Sequence, residues 1–595
     1  TLLRGVSGLG VLATIQARLR VPGELAWPVA PLSLPAPSSP ALLPTTERLV
    51  ASEAVQLFVM RAGLAQPGFT LSPENAPAVV EICRRLGGMP LALELAASRL
   101  SLLSVHELVA RLDNALRILG GGSRTAPERQ QTLRATLDWS HQLLDEREQV
   151  LFHRLAVFTG GWTLEAAEAV CGEDEGRKTK DEGGIRPGPF LERSEGSFVL
   201  RQEHVLDGLA SLLDKSLLQR EVVSGETEND AEARFDMLET IRAYGLERLE
   251  AAGEAPTLRD RHAGYYLDLV SRLGPQLRGP SENASLVRLE REHDNVRQAL
   301  TWFLERGQTG QVVDLIWHLW AFWWIRGHLS EGQRWIERAV AQFPAGDAPG
   351  RLQAALGAMA YYRGEYAHGA TLANRAVAAL RPTRDQEGLA RALVLRGGIA
   401  LNQGDHQRAA AFLEESAHLY GTLGDRWGAA SALSISGEVA MARGEYDEAK
   451  ARFTETVAVF RALGAMRDAA YFGAMLGLLS LLQGDDVQAA SHLREALGPN
   501  AGSLDRFSAV YCLEGLAAVA AAQGKANRAA CLFGAAAAIR RTTSAAPLVP
   551  IARDLYDRLQ ADARKQLGKA AWDAAWNTGS ALSPEDAVAE ALSGE

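Results

Sequence analysis

Cysteine is scarce in this chain. Its 595 residues include four, Cys83, Cys171, Cys512 and Cys531, spread far apart. They lack the paired spacing of a zinc site, and each lies among apolar or small neighbours that suit a reduced core thiol. We therefore expect no metal site, no disulfide framework and a cytoplasmic location. Long apolar runs are also missing. The longest, "VVDLIWHLWAFWWI" from Val312 to Ile325, contains His318 and falls short of the roughly 20 residues a membrane-spanning helix needs, so no membrane partner is expected. Positive charge is not in excess: 62 basic against 72 acidic residues leave a formal net charge of -10, which excludes a chain that coats nucleic acid or an anionic lipid surface. The phosphate loop Gly-x-x-x-x-Gly-Lys-Ser/Thr is absent. Its nearest approach, "GRKT", has Arg177 where glycine is required and no apolar strand before it. The charged stretch around it, between Gly172 and Gly196, reads as a disordered insertion. No paired carboxylates, Ser/His/Asp set or Cys/His set rises above background, so no catalytic residue is assigned. His262 and His293 read as surface or helix-packing side chains.

What the sequence does contain is a repeat. Gly364, Gly404, Gly444, Gly484 and Gly524 recur every 40 residues in "RGEY", "QGDH", "RGEY", "QGDD" and "QGKA". Small residues precede each turn (Gly357, Gly397, Gly437, Gly477) and follow it (Ala409, Ala449, Ala489, Ala529). One unit is thus helix, glycine turn, helix, with small residues letting neighbouring helices approach so that stacking buries a continuous core. The pattern resembles tetratricopeptide repeats with a lengthened linker. "WAFWWIRGHLSEGQRWIERAV" (320–340) reads as an earlier, divergent unit with its turn at Gly327. Such repeats carry no chemistry of their own and offer a docking surface.

Ahead of the repeats the pattern changes. "LDEREQVLFHRLAVF" opens with Asp145 and Glu148 as a capping box, "TLEAAEAV" and "VLDGLASLLDKSLLQR" supply two more helices, and "SLLQREVV" with "ARFDMLETI" read as two strands of a wing. A winged helix follows. Its helix around Val205 to Lys215 carries Asp207 and Asp214 against Lys215, too little cationic surface for a groove reader, so we expect a protein-contacting module. Nearer the start, "EICRRLGGMPLALELAASRL" (81–100) ends one amphipathic helix at Gly87 or Gly88 and opens a nearly apolar one at Pro90. So apolar a helix should have a buried N-terminus, a place where backbone N–H groups face either the core or a ligand.

Together, "SEAVQLFVMRAG" (52–63), the Gly-Gly-Met-Pro segment, "TLRATLDWSHQLLDEREQVLFHRLAVFTGGWTLEAAEAV", "MLETIRAYGLERL" and "LEREHDNVRQALTW" resemble the STAND and NB-ARC class of nucleotide switches. More closely, they resemble the bacterial predicted ATPases of SARP and LuxR-type transcriptional regulators. The resemblance implies a mainly α fold in six parts: 1–42, the end of an α/β nucleotide-binding domain; 43–125, a helical domain; 126–250, a winged helix; 251–345, a helical linker and divergent repeat; 346–545, a tetratricopeptide-like α-solenoid; and 546–595, capping helices. It further implies that Gly88 and Pro90 form the Gly-x-Pro whose proline packs on adenine, and that Thr14 lies in the last strand of the α/β domain. Departures stand beside these matches: Ile15 and Gln16 replace the family's Ser-Arg, and Met237, Leu238 and Glu239 stand where it has Met-His-Asp. In the family the phosphate loop and magnesium-binding strand precede the segment at which this chain starts. The expectation is a fragment, not an enzyme by itself, of a parent that is a slow ATPase switch binding ATP or ADP with magnesium. Its repeats would dock a protein or small-molecule inducer, a second copy of the chain is a further candidate partner, and DNA would be met only through a domain outside this sequence. The alternative is a nucleotide-independent adaptor in which the repeats alone work.

Overall fold

The computed structural model describes residues 31–35, 49, 51–112, 133–172, 200–221, 232–344, 346–498, 506–542 and 550–593. Thr14, Gln16, the expected α/β remnant except for residues 31–35, and most of the 172–196 insertion lie outside the described residues. The chain forms two compact units, one of residues 1–266 with 292–299 and one of 267–291 with 300–595. Among the described residues no helix is long and apolar enough to cross a membrane.

Among the described residues the first unit has, in order, the helices α1 (Glu53–Ala65), α2 (Ala76–Arg85), α3 (Pro90–Ser98) and α4 (Val105–Arg111). Ala54, Val55, Phe58 and Ala62 of α1 are buried with Ile82 and Cys83 of α2, the faces that 3.6-residue periodicity selects. Next come α5 (Leu133–Gln142), α6 (Glu146–Leu155), β1 (Trp162–Thr163), α7 (Leu164–Cys171), α8 (Val205–Asp214), β2 (Gln219–Glu221), β3 (Arg234–Asp236) and α9 (Glu239–Ala251). The strands pair antiparallel in the order β1-β3-β2, with Arg220 and Trp162 both opposite Phe235. This is a winged-helix arrangement. Asp145 and Glu148 make the reciprocal capping box at the start of α6. The "ARFDMLETI" segment differs from its sequence reading: the strand ends at Asp236, and Glu239 already starts α9. Met237, Leu238 and Ile241 are apolar on a spacing that suits either element, and packing of Met237 and Ile241 into the core decides for the helix. Lys215 does not add a cation to the surface of α8, because its ammonium is held by Glu148 at 2.5 Å.

A polar knot closes this unit. Arg234 and Glu292, 2% and 1% exposed, form a buried ion pair. Tyr266 donates its hydroxyl to Glu292 (3.0 Å), and Asn295 donates to the Gly161 carbonyl (2.8 Å) while accepting from the Thr159 N–H (2.8 Å). His262 lies at 3.1 Å from Asn295, buried between helices, and His293 is buried as well. Paired and hydrogen-bonded on all sides, these charges avoid the penalty of lone burial.

The remaining elements are α10 (Ala255–Gln276), α11 (Glu282–Arg291), α12 (His293–Glu305), α13 (Thr309–Ile325), α14 (Leu329–Val340), α15 (Gly350–Tyr362), α16 (Tyr366–Leu380), α17 (Gln386–Asn402), α18 (His406–Leu423), α19 (Arg426–Ala442), α20 (Tyr446–Ala462), α21 (Met466–Leu482), α22 (Asp486–Leu497), α23 (Arg506–Ala522), α24 (Ala526–Thr542), α25 (Pro550–Leu567), α26 (Lys569–Ser580) and α27 (Pro584–Leu592). From α13 to α24 they form helix pairs, each packed on the next. The turn glycines Gly364, Gly404, Gly444, Gly484 and Gly524 adopt φ between 73° and 78°, left-handed geometry that glycine reaches without strain. Gly327 does the same (φ 83°) between α13 and α14. Ala409, Ala449 and Ala489 are fully buried. The helix glycines explain the tight pairing, since a Cβ on Gly397, Gly437 or Gly477 would come within 2.8 Å of Leu413, 2.7 Å of Phe453 and 2.5 Å of Leu493 respectively. In these three pairs one large side chain of the second helix thus docks on the glycine of the first, at a constant 40-residue register. Helices α25 to α27 pack on α23 and α24 and close the array.

Candidate ligand cavity

Two candidate sites stand out among the described residues, one in each unit. In the first unit, α2 ends at Arg85, Gly87 and Gly88 take left-handed φ of 59° and 67°, and Pro90 begins α3 as its first residue. The Leu32 N–H donates to the Gly88 carbonyl (3.0 Å), and a Cβ on Gly88 would sit 2.3 Å from the Leu32 oxygen, so only glycine fits beside that segment. A Cβ on Gly87 would lie 2.8 Å from the Leu238 side chain. The structure therefore brings the Gly-Gly turn against Leu238. Glu239 is turned to its own helix, paired with Arg242 at 2.7 Å. The expectation of a buried α3 N-terminus needs correcting: Gly88 is buried, Met89 is half-buried and Pro90 is exposed. The apolar part of α3 lies further in, where Ala92, Leu93, Leu95, Ala96 and Ala97 are buried.

In the second unit, the first helices of the pairs line a cavity of about 480 Å³, together with the C-terminal turns of α10 and with α13. That is the size range of small-molecule sites. Its wall is aromatic. Trp324 stacks on Tyr362 (4.6 Å between ring centres), Tyr361 meets Tyr362 edge-on (5.3 Å), and Tyr471 is edge-on to both Phe472 (4.8 Å) and Tyr511 (4.9 Å). Three arginines reach the wall, each over an indole ring: Arg278 on Trp427 (4.6 Å), Arg391 on Trp317 (4.6 Å) and Arg467 on Trp324 (4.8 Å). Such stacking is favourable for a guanidinium and keeps it planar against the groove. Each also has carboxylates: Arg391 with Glu387 (3.0 Å), Arg467 with Glu282 (2.7 Å), and Arg278 with Asp425 (3.7 Å). A fourth acid on the wall, Glu438 of α19, is 7% exposed. Burial raises its carboxyl to about 7, opposed by a hydrogen bond from Tyr471.

The register of the repeat shows how the cavity arises. Arg351, Arg391, Ser431, Tyr471 and Tyr511 occupy one position in successive units, so a helix face that repeats geometrically presents different chemistry at each step. The sequence reading placed the docking surface on the repeats but named only residues that pack them. Glu438 was missed, although the signal was available: the same position holds Ala358, Gly398, Leu478 and Ala518 in the other units. Burial pushes the thiols of Cys83, Cys171 and Cys512 up to about 12, which disfavours their reactive thiolate forms.

The geometry defines a class: a tetratricopeptide-like solenoid whose inner helices enclose a ligand-sized cavity, carried on one chain with a winged helix. Comparisons with known proteins give the particulars. No family model matches the sequence. A Mycobacterium bovis protein provisionally named an HTH-type transcriptional regulator is 39% identical over 338 residues, 56% of this chain and 32% of that protein. An uncharacterized M. bovis protein is 36% identical over 262 residues, 44% of this chain and 55% of that one. The chain thus spans about a third of the length of the regulators it matches. Among solved structures, a signal transduction ATPase with numerous domains and a tetratricopeptide repeat sensor from Pyrococcus horikoshii aligns with TM-score 0.44 and 14% identity, over 82% of this chain and 61% of that one. A Rap protein complexed with competence and sporulation factor aligns with TM-score 0.34 and 11% identity, over 51% and 98%. Neither score is high enough to establish a shared arrangement.

Proposed function

We propose that this chain is the sensing portion of a transcriptional regulator, with the cavity of the second unit as the place where a small-molecule inducer is read. The observation that carries the reading is the cavity itself: ligand-sized, walled by stacked rings, and containing charged groups fixed in place by their own partners. Fixed polar groups in an apolar wall select one ligand orientation without reorganisation on binding. The wall is drawn from α13, α15, α17, α19, α21 and α23, so an occupant touches several repeats at once. It would couple units that otherwise contact only their neighbours and stiffen the array, a change that an attached output domain can read. The name borne by the mycobacterial relatives supports the regulatory side of this proposal.

The nucleotide side rests on the family resemblance. In a longer parent, Gly88 and Pro90 would face the adenine of ATP or ADP with magnesium supplied from elsewhere, and Leu238 would contact the same turn. The exposure of Pro90 is compatible with that role, and Pro90→Ala in such a parent should weaken adenine-nucleotide binding.

The sensing role is tested by plugging the cavity. Gly398 lies on its wall, and a Cβ there would meet only ordinary contacts at 3.6 Å or more, so Gly398→Leu should fold and fill space. In cells carrying the full-length parent, genes under its control should lose their response to the inducing condition with protein levels unchanged. An unaltered response would overturn the proposal.

A further inference from the structure

The cavity wall holds three arginines, Arg278, Arg391 and Arg467, and four carboxylates, Glu387, Asp425, Asp468 and Glu438. All three arginines are in ion pairs with the first three acids or with Glu282. Among the described residues Glu438 is in no ion pair. It is the acid left over, and it is nearly wholly buried. Taking a carboxylate out of water is costly unless something positive or a set of donors replaces the solvent. Here Tyr471 donates one hydrogen bond, and the rings of Tyr361 and Tyr511 lie close enough to feel the charge.

Repeat packing does not demand an acid at this place. The register position holds Ala358, Gly398, Leu478 and Ala518 in the other units, all apolar or small, so the fold tolerates a hydrocarbon there and Glu438 departs from its own pattern. An unpaired acid walled by aromatic rings is the arrangement that recognises a positively charged organic group. The carboxylate supplies the counter-charge, the ring faces supply quadrupole attraction, and both gain strength once water is excluded.

We propose that the cavity binds a small organic cation, its ammonium or amidinium group seated against Glu438 between Tyr361, Tyr471 and Tyr511, and its apolar body along Trp324 and Tyr362. This deepens the sensing function proposed above and rests on it. The volume of about 480 Å³ admits a body well beyond a bare ammonium group. Paired arginines elsewhere on the wall would accept polar substituents of the same molecule. An inorganic cation is disfavoured, because Glu438 supplies one carboxylate among rings, whereas calcium or magnesium requires about six oxygens.

The test uses the purified chain and three probes of like size in titration calorimetry: benzyltrimethylammonium, the neutral benzyl alcohol, and the anion 3-phenylpropionate. The cation should bind at least about tenfold more tightly than either of the others. Glu438→Gln should remove that preference while leaving the weak binding of benzyl alcohol unchanged. Glu438→Leu, which copies the residue at the Leu478 register, gives a second folded variant with the same expected loss. Equal affinity for the three probes, preference for the anion, no measurable binding of the cation, or an unaffected Glu438→Gln would each overturn the proposal. Neutral or anionic binding that Gly398→Leu abolishes would leave the cavity a sensing site and refute only its assignment to cations. Binding indifferent to Gly398→Leu would remove the cavity from both arguments.

Discussion

Burial of Glu438 has a cost that can be read as a pH dependence. Its carboxyl is raised from the ordinary 4.5 to about 7 by burial, so between those values the folded chain holds a proton that the unfolded chain has released. Stability from this group is therefore fully present below about pH 4.5, is lost as pH rises through 7, and is constant above. A displacement of about 2.5 units at 1.36 kcal/mol each gives a loss on the order of 3 kcal/mol. Other groups act on the same curve: burial holds His153 and His262 down to about 4, and their neutral forms withdraw stability in the opposite direction as pH falls below 6.5. The difference between wild type and Glu438→Gln cancels those terms. Urea unfolding followed by tryptophan fluorescence at about pH 4.5, 6 and 8 should show the variant gaining on wild type by about 3 kcal/mol across the range, whatever fixed offset the amide introduces. Parallel curves for the two proteins would refute the claim that Glu438 is buried and unpaired, and the cation site would fall with it.

Three further outcomes are expected. Ala449→Trp, at a fully buried site between paired helices, should cost about 1–3 kcal/mol by overpacking and open the linkers at Gly424 and Gly464 to protease while residues before Leu249 stay intact; mass spectrometry of the fragments decides. Gly88→Ala puts a methyl 2.3 Å from the Leu32 oxygen at a left-handed φ of 67°, and should lower the stability of the first unit by about 2–4 kcal/mol, seen as early loss of its hydrogen-exchange protection with the repeats unchanged. The purified chain should show no magnesium-dependent ATP hydrolysis, since its sequence has no phosphate loop to neutralise a transferring phosphate; turnover that persists through stringent purification would contradict this.

What could be read from the sequence followed from how local its causes are. The capping box of Asp145 and Glu148, the left-handed turn glycines from Gly364 to Gly524 and the Gly87-Gly88 stop are set by neighbours a few residues away. The mainly α architecture was legible for the same reason. What escaped depends on distant partners. The two-residue strand at Trp162 exists because Phe235 lies opposite, and the end of β3 is decided by where Met237 packs. The burial of Glu292 answers to Arg234, 58 residues before it, and that of Asn295 to Gly161, 134 residues before it. Pro90 failed the buried reading because the apolar content of α3 belongs to its middle. Glu438 was not singled out: the register marks it as the exception among Ala358, Gly398, Leu478 and Ala518, but the burial that makes it matter depends on how the solenoid helices pack.

The glycine-on-large-residue docking repeats at Gly397, Gly437 and Gly477, so in the three central units the contacts that hold each helix pair together are alike and are separate from those that face the cavity. The proposed recognition would consequently be addressable. Positions 358, 398, 438, 478 and 518 are equivalent slots, about 10 Å apart as neighbouring helices are, and the acid occupies one of them. Exchanging its slot for the next, Gly398→Glu with Glu438→Gly, would slide the charge along the groove while the scaffold stays as it was. Under the proposed sensing role, copying one unit over another would change the ligand that is read without any new fold.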